Sequence, residues 1–89
     1  MLSITDLLDF IDLDKETVHV VTRATGLADA EGTTLARQLL SSQPGIHTLH
    51  HMYRDQIAEA GARFDLSREK ELRRAYTYFS RKYPMPHML

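Results

Sequence analysis

The stretch Pro44-Gly45-Ile46-His47-Thr48-Leu49-His50-His51-Met52-Tyr53-Arg54-Asp55-Gln56-Ile57-Ala58-Glu59-Ala60-Gly61-Ala62-Arg63-Phe64 decides the fold. Along it Ile46, His50, Tyr53, Ile57, Ala60 and Phe64 recur at alternating intervals of four and three, the period of one face of an α-helix. Pro44 suits the first turn of that helix, because its missing N–H is a donor that a helix start leaves unpaired anyway.

Downstream, Asp65 or Ser67 can cap a further helix. On it Leu72, Ala75, Tyr76, Phe79 and Tyr83 form one stripe before Pro84 and Pro86 end it. Upstream, Asp29 is a candidate cap for a helix carrying Leu35, Ala36, Leu39 and Leu40, which should end at Ser41-Ser42. Gly32 near its start weakens that helix by about 1 kcal/mol against Ala.

Before it, Asp14 can cap a helix whose early Glu16 suits the positive end of the dipole. Gly26-Leu27 then reads as a left-handed stop. The run Thr17–Thr22 is β-branched enough for a strand, but no other segment offers a strand to pair with it, so helix is the reading. Ser3 and Asp6 resemble a weak capping box ahead of Ile4, Leu7, Leu8 and Ile11, giving a first helix over residues 4–12. The expected fold is all-α, a compact bundle of about five short helices in which the last two form a C-terminal antiparallel hairpin. Residues 1–89 form one helical domain in this reading, with 83–89 a flexible or docked tail.

Composition narrows the function. With 43% apolar and 26% charged residues the chain reads as globular, and without cysteine it has neither a disulfide framework nor a thiolate zinc site. Met1–Phe10 carries no Lys or Arg and is broken by Asp6 and Asp9, so no secretory leader is expected; no run approaches the ~18 apolar residues of a membrane span. The expected location is the cytoplasm, with no membrane partner.

Charge is unevenly spread. Residues 1–60 hold nine Asp and Glu against four Lys and Arg, whereas residues 61–89 hold seven Lys and Arg against three Asp and Glu. Helical phasing places Lys70, Arg74, Tyr78 and Arg81 opposite the apolar stripe of the last helix, with Arg73 and Lys82 at its margins. These six residues are the candidate interaction site. A basic face carrying an outward tyrosine can grip phosphates and stack a base, or pair with an acidic protein surface, including Asp6, Asp9 and Asp12 of a second copy.

Other constellations carry less. His47 and His51 stand four residues apart, a spacing that suits two metal ligands. A zinc-hydrolase helix would follow the first histidine with Glu, but Thr48 stands there and a third ligand is undefined. Solvated or structural histidines are the expectation, with no metal and no cofactor, and His50 is expected to be a hydrogen-bonded core or interface histidine. The tail Met85-Pro86-His87-Met88 mixes ligands that cuprous copper tolerates, but no second cluster supports it. Asp12–Glu16 imitates the start of a calcium loop and then fails, because its sixth and twelfth positions are Thr17 and Arg23. The helix–Gly26–helix segment invites comparison with a DNA-binding helix-turn-helix; Asp29 and Glu31 would approach phosphates there, so a plain helical corner is preferred.

Met1-Leu2-Ser3-Ile4-Thr5-Asp6-Leu7-Leu8-Asp9, with Glu71-Leu72-Arg73-Arg74 and Tyr83-Pro84, resembles a group of short uncharacterised bacterial all-helical proteins of unknown function. The resemblance implies a bacterial cytosolic origin and a compact helical fold, and it assigns no residue a role. Together these readings lead to the expectation of a small non-enzymatic module acting through protein–protein interaction or as a homo-oligomer. A nucleic-acid-binding regulator using the basic last helix is the alternative.

Overall fold

The computed structural model describes residues 14–86, and the helix expected over residues 4–12 lies outside them. Four helices follow one another: α1 (Lys15–Thr25), α2 (Asp29–Leu40), α3 (Gln43–Ala62) and α4 (Leu66–Lys82). The fold is all-α, and no strand occurs among the described residues.

Local chemistry sets most of the boundaries. The Asp14 side chain accepts the Thr17 N–H at 2.8 Å and starts α1. Gly26 stops α1 at φ 75°, a left-handed conformation that glycine adopts without a Cβ clash, and its N–H bonds the Thr22 carbonyl. The β-branched run Thr17–Thr22 is therefore helical, with Thr17, Val20 and Val21 buried on one face. Asp29 is not the cap of α2. Ala28 takes the extended cap conformation, Glu31 reaches back to accept its N–H at 3.2 Å, and Asp29 becomes the first helical residue. Both acids remain at the positive end of the helix dipole. Ser42 caps α3 by accepting the Gly45 N–H, Asp65 caps α4 by accepting the Arg68 N–H, and α4 stops one residue before Tyr83-Pro84.

The core joins Val20 and Val21 of α1, Ala36 of α2, Leu49, Tyr53 and Ala60 of α3, and Leu72 and Phe79 of α4. Helix α3 is central and packs on all three others. Its neighbours are legible from contacts. Thr17 bonds Tyr53, Gln56 bonds the Val20 carbonyl, and Arg23 bonds Glu59, so α1 and α3 run in the same sense at a constant offset of 36 residues. Against α4 the sense reverses, with Gly61 near Glu69, Tyr53 on Tyr76 and Phe79, and His50 bonding Tyr83.

The face of α3 that is buried differs from the expected stripe. Leu49 and Gln56 are buried, whereas Ile46 and Ile57 are half-buried and Phe64 is 84% exposed. A helix covered from two sides needs a broad buried arc, and here its centre turns toward α1 and α2. Phe64 leaves the stripe because α3 ends before it. The Asp65 N–H bonds the Ala60 carbonyl and the Phe64 N–H bonds the Gly61 carbonyl, a Schellman turn that puts Phe64 at φ 57°. For a bulky residue that conformation costs about 1 kcal/mol.

Two glycines mark where helices touch. A Cβ on Gly32 would overlap the Thr22 methyl across the α1–α2 contact, so the residue that weakened α2 in the sequence is the one that lets α1 approach. A Cβ on Gly45 would overlap the backbone carbonyl of Leu39 at the α2–α3 corner. Backbone cannot swing aside as a side chain can. The variant Gly45→Ala should therefore lose about 3 kcal/mol of stability in urea unfolding; an unchanged midpoint would show that the corner is loose.

Candidate functional site

Helix α4 buries Leu72 and Phe79 and turns Lys70, Arg74 and Arg81 to solvent. The remaining cations of the C-terminal part are held differently. Arg68 donates to Glu71 at 3.2 Å and lies 3.6 Å from Glu16 of α1, and Arg73 donates to Glu69 at 3.0 Å. Lys82 Nζ stands 4.6 Å from the centre of the Tyr78 ring, a cation–π contact. Of the six residues read from the sequence, Lys70, Arg74, Tyr78 and Arg81 thus share the outward side, Lys82 leans over Tyr78, and Arg73 is drawn back along the helix by Glu69. Lys70, Arg74 and Arg81 have no ion-pair partner among the described residues. Asp6, Asp9 and Asp12, the acidic counterpart suggested by the sequence, lie outside the described residues, as does His87.

Beside this face runs an open groove of about 480 Å³ between the start of α1 and the middle of α4. Ala75, Tyr78 and the stems of Lys15 and Arg74 line it, with the carboxylates of Asp14, Glu16 and Glu71 around them. At the head of α4 two further apolar side chains stand in water, Phe64 and Leu66, the latter 71% exposed. Sequence reading put Phe64 on the repeating face of α3 and passed over Leu66. The available signal was Asp65, a helix cap lying directly behind Phe64, which separates that ring from the α3 stripe.

A polar cleft of about 260 Å³ opens on the other side of the α3–α4 turn. Within its lining, Glu59 accepts from Arg23 at 2.8 Å and pairs with Arg63 at 2.9 Å, and hydrogen bonding from Arg23 followed by the Arg63 charge holds its carboxyl below the usual range. This cleft ties α1 to the end of α3. Its arginines are neutralised by carboxylates of the same chain.

The three histidines of α3 divide as their phasing suggests. His51 is exposed and His47 half-buried, their ring centres 4.5 Å apart, and no cluster of three or more metal-binding side chains occurs among the described residues. His50 is buried. Its Nε2 lies 2.6 Å from the Tyr83 carbonyl, which can only accept, so Nε2 carries the proton and Nδ1 accepts from the Tyr76 hydroxyl at 2.8 Å. The neutral imidazole fits this pair of bonds. Burial lowers the His50 pKa, the Tyr83 bond opposes that, and the positive charges of Arg54, His47 and His51 add to the lowering.

Folding therefore favours the neutral form of His50, while the unfolded chain takes up its proton near the ordinary value of about 6.5. The stability contributed is complete above that value and is lost as pH falls through the lower pKa of the folded state. Thermal midpoints measured between about pH 7.5 and about pH 5.5 should fall for the wild type and fall less for His50→Gln, which keeps a donor but cannot titrate. Equal slopes for both proteins would remove His50 as the source.

No helix among the described residues is long and apolar enough to cross a membrane. Comparison with protein-family models, with curated proteins and with solved structures finds no match to this chain.

Proposed function

We propose that this chain is a small non-enzymatic helical module of the bacterial cytoplasm that works by protein–protein contact, as a homo-oligomer or as an adaptor. The outward side of α4 is its contact surface. The observation that carries this reading is the unequal treatment of its cations. Arg68 and Arg73 are matched by carboxylates of the same chain, whereas Lys70, Arg74 and Arg81 are left facing water around a half-exposed tyrosine. Unmatched charge beside an aromatic ring suits an acidic protein surface, because desolvated charge complementarity fixes register while the ring supplies apolar area.

The same cations and Tyr78 would serve a nucleic-acid backbone, which is the second reading. The carboxylates of Asp14, Glu16 and Glu71 at the groove confine the positive face to one strip of α4, which fits a discrete acidic patch on a protein better than the continuous charge of a nucleic-acid backbone, so protein is preferred.

Lys70→Glu/Arg81→Glu reverses the face without touching the groove. In a pull-down from native extract, proteins retained by the wild type should be lost by this variant at unchanged helicity. Identical captures by both would sink the assignment. Oligonucleotide binding at about 50 mM salt that fades with added salt and vanishes in the variant would instead establish the second reading.

A further inference from the structure

We propose that the groove between α1 and α4, with Arg74 and Arg81 beside it, is the seat of this chain's own residues 1–13. The seat overlaps the contact surface proposed above, and the inference rests on that reading where it makes the segment and an outside partner compete for one side of α4.

The free charge at the groove is positive. Its three carboxylates are engaged: Asp14 caps α1, and Arg68 holds Glu16 at 3.6 Å and Glu71 at 3.2 Å. Its cations are not, because Lys15 and Arg74 have no carboxylate partner among the described residues, and neither has Arg81 two turns further along α4. Among these cations lie the half-buried Ala75 and the Tyr78 ring, which is 51% exposed. An occupant that is apolar and acidic at once covers the ring and matches the cations together.

Residues 1–13 have that chemistry. Eight of the thirteen are apolar, three are aspartate, and none is Lys or Arg. In the helix expected over residues 4–12, Ile4, Leu7, Leu8 and Ile11 form the apolar side, and Asp9 and Asp12 stand one turn apart along one flank.

The covalent connection supplies position. Leu13 is one peptide bond from Asp14, and Asp14 lines the groove. Helix α1 runs opposite to α4, since its start faces Glu71, Arg74 and Tyr78 while Arg23 near its end shares a cleft with Asp65 and Arg68. A chain that continues the line of α1 back beyond Asp14 therefore passes Tyr78 and Arg81. Arg74 and Arg81 lie about 10 Å apart along α4, and thirteen residues span about 20 Å even when helical, so the segment reaches both. Tethering sets an effective concentration of about a millimolar, which lets weak pairing in the same chain prevail over the same pairing between separate molecules.

The chain has no cysteine, so Thr5→Cys carrying a nitroxide puts a single spin label on the segment of the full chain. Amide signals of α4 from Arg74 to Arg81 should be lost relative to the reduced label, and dilution should not change the loss. Arg74→Glu/Arg81→Glu should restore the signals, and so should Asp9→Lys/Asp12→Lys. All four substitutions together should bring the loss back, because the pairs re-form with their signs exchanged; unchanged helicity by circular dichroism separates release from unfolding. Intact α4 signals in the labelled wild type overturn the seat, as does a loss that either reversal leaves in place or that the fourfold variant fails to regain. A loss seen between labelled and isotope-enriched copies, and absent on dilution, assigns the segment to a second copy and overturns it too. In a pull-down from native extract Asp9→Lys/Asp12→Lys should retain more partner than the wild type, and equal retention removes the competition. Spin-label loss without capture by any variant would sink the contact module and keep the seat; capture without spin-label loss would do the reverse.

Discussion

Tyr53 is fully buried, and its phenol must find a partner inside the protein. It does so at Thr17 Oγ1, 2.8 Å away on α1, while its ring stacks on Phe79 and Tyr76 of α4 at 5.0 and 5.5 Å between centres. One side chain thus touches two helices besides its own. Leaving that hydroxyl unpaired would cost about 1–3 kcal/mol, which is enough to reject packings in which α1 slides along α3. Burial pushes the phenol pKa well above its ordinary value, so the group stays neutral and the hydrogen bond is not competed for by ionisation.

The seam between α1 and α3 is tied by polar groups at successive turns. Beyond Thr17 and Tyr53, Gln56 donates to the Val20 carbonyl and Arg23 to Glu59, each link one turn further along both helices. The seam between α3 and α4 is aromatic, with His50 set edge-on to Phe79 and bonded to Tyr76 and to the end of α4. Such bonds fix register more than they add stability, since each replaces bonds to water. A short chain with a small core gains from that fixing. Dispersion between leucines and valines alone tolerates several registers.

Because so many inward and cross-helix charges are matched locally, the unmatched groups become informative. Among the described residues Lys15, Arg37 and Arg54 stand without a carboxylate partner on the other helices, whereas Lys70, Arg74 and Arg81 share one side of α4 with a half-exposed tyrosine. The basic side was legible in the sequence, because helical phase alone sends Lys70, Arg74, Tyr78 and Arg81 away from Leu72 and Phe79. The groove was not, since Asp14 and Glu16 of α1 reach Arg74 and Tyr78 only through the packing of two helices distant in the chain. Phase also misassigned Phe64, because it extends a stripe without knowing where the helix stops.

By itself the sequence determined the helical class and those boundaries that rest on one side chain and its immediate backbone: Asp14, Gly26, Pro44 and the stop before Pro84. These are local energies, settled within a turn, and the β-branched run Thr17–Thr22 obeyed them once no strand was present to pair with. Tertiary structure alone decided which face of α3 is buried, why Gly32 and Gly45 must lack a Cβ, and which charges are spent inside the protein. Each of these depends on how helices meet, Gly45 against Leu39 at a corner between consecutive helices and the others across packed helix faces, where a shift of a fraction of a turn changes which atoms meet. Helical period fixes directions around an axis; the distance and register between axes are set by packing and by the buried bonds of Tyr53, Gln56 and His50.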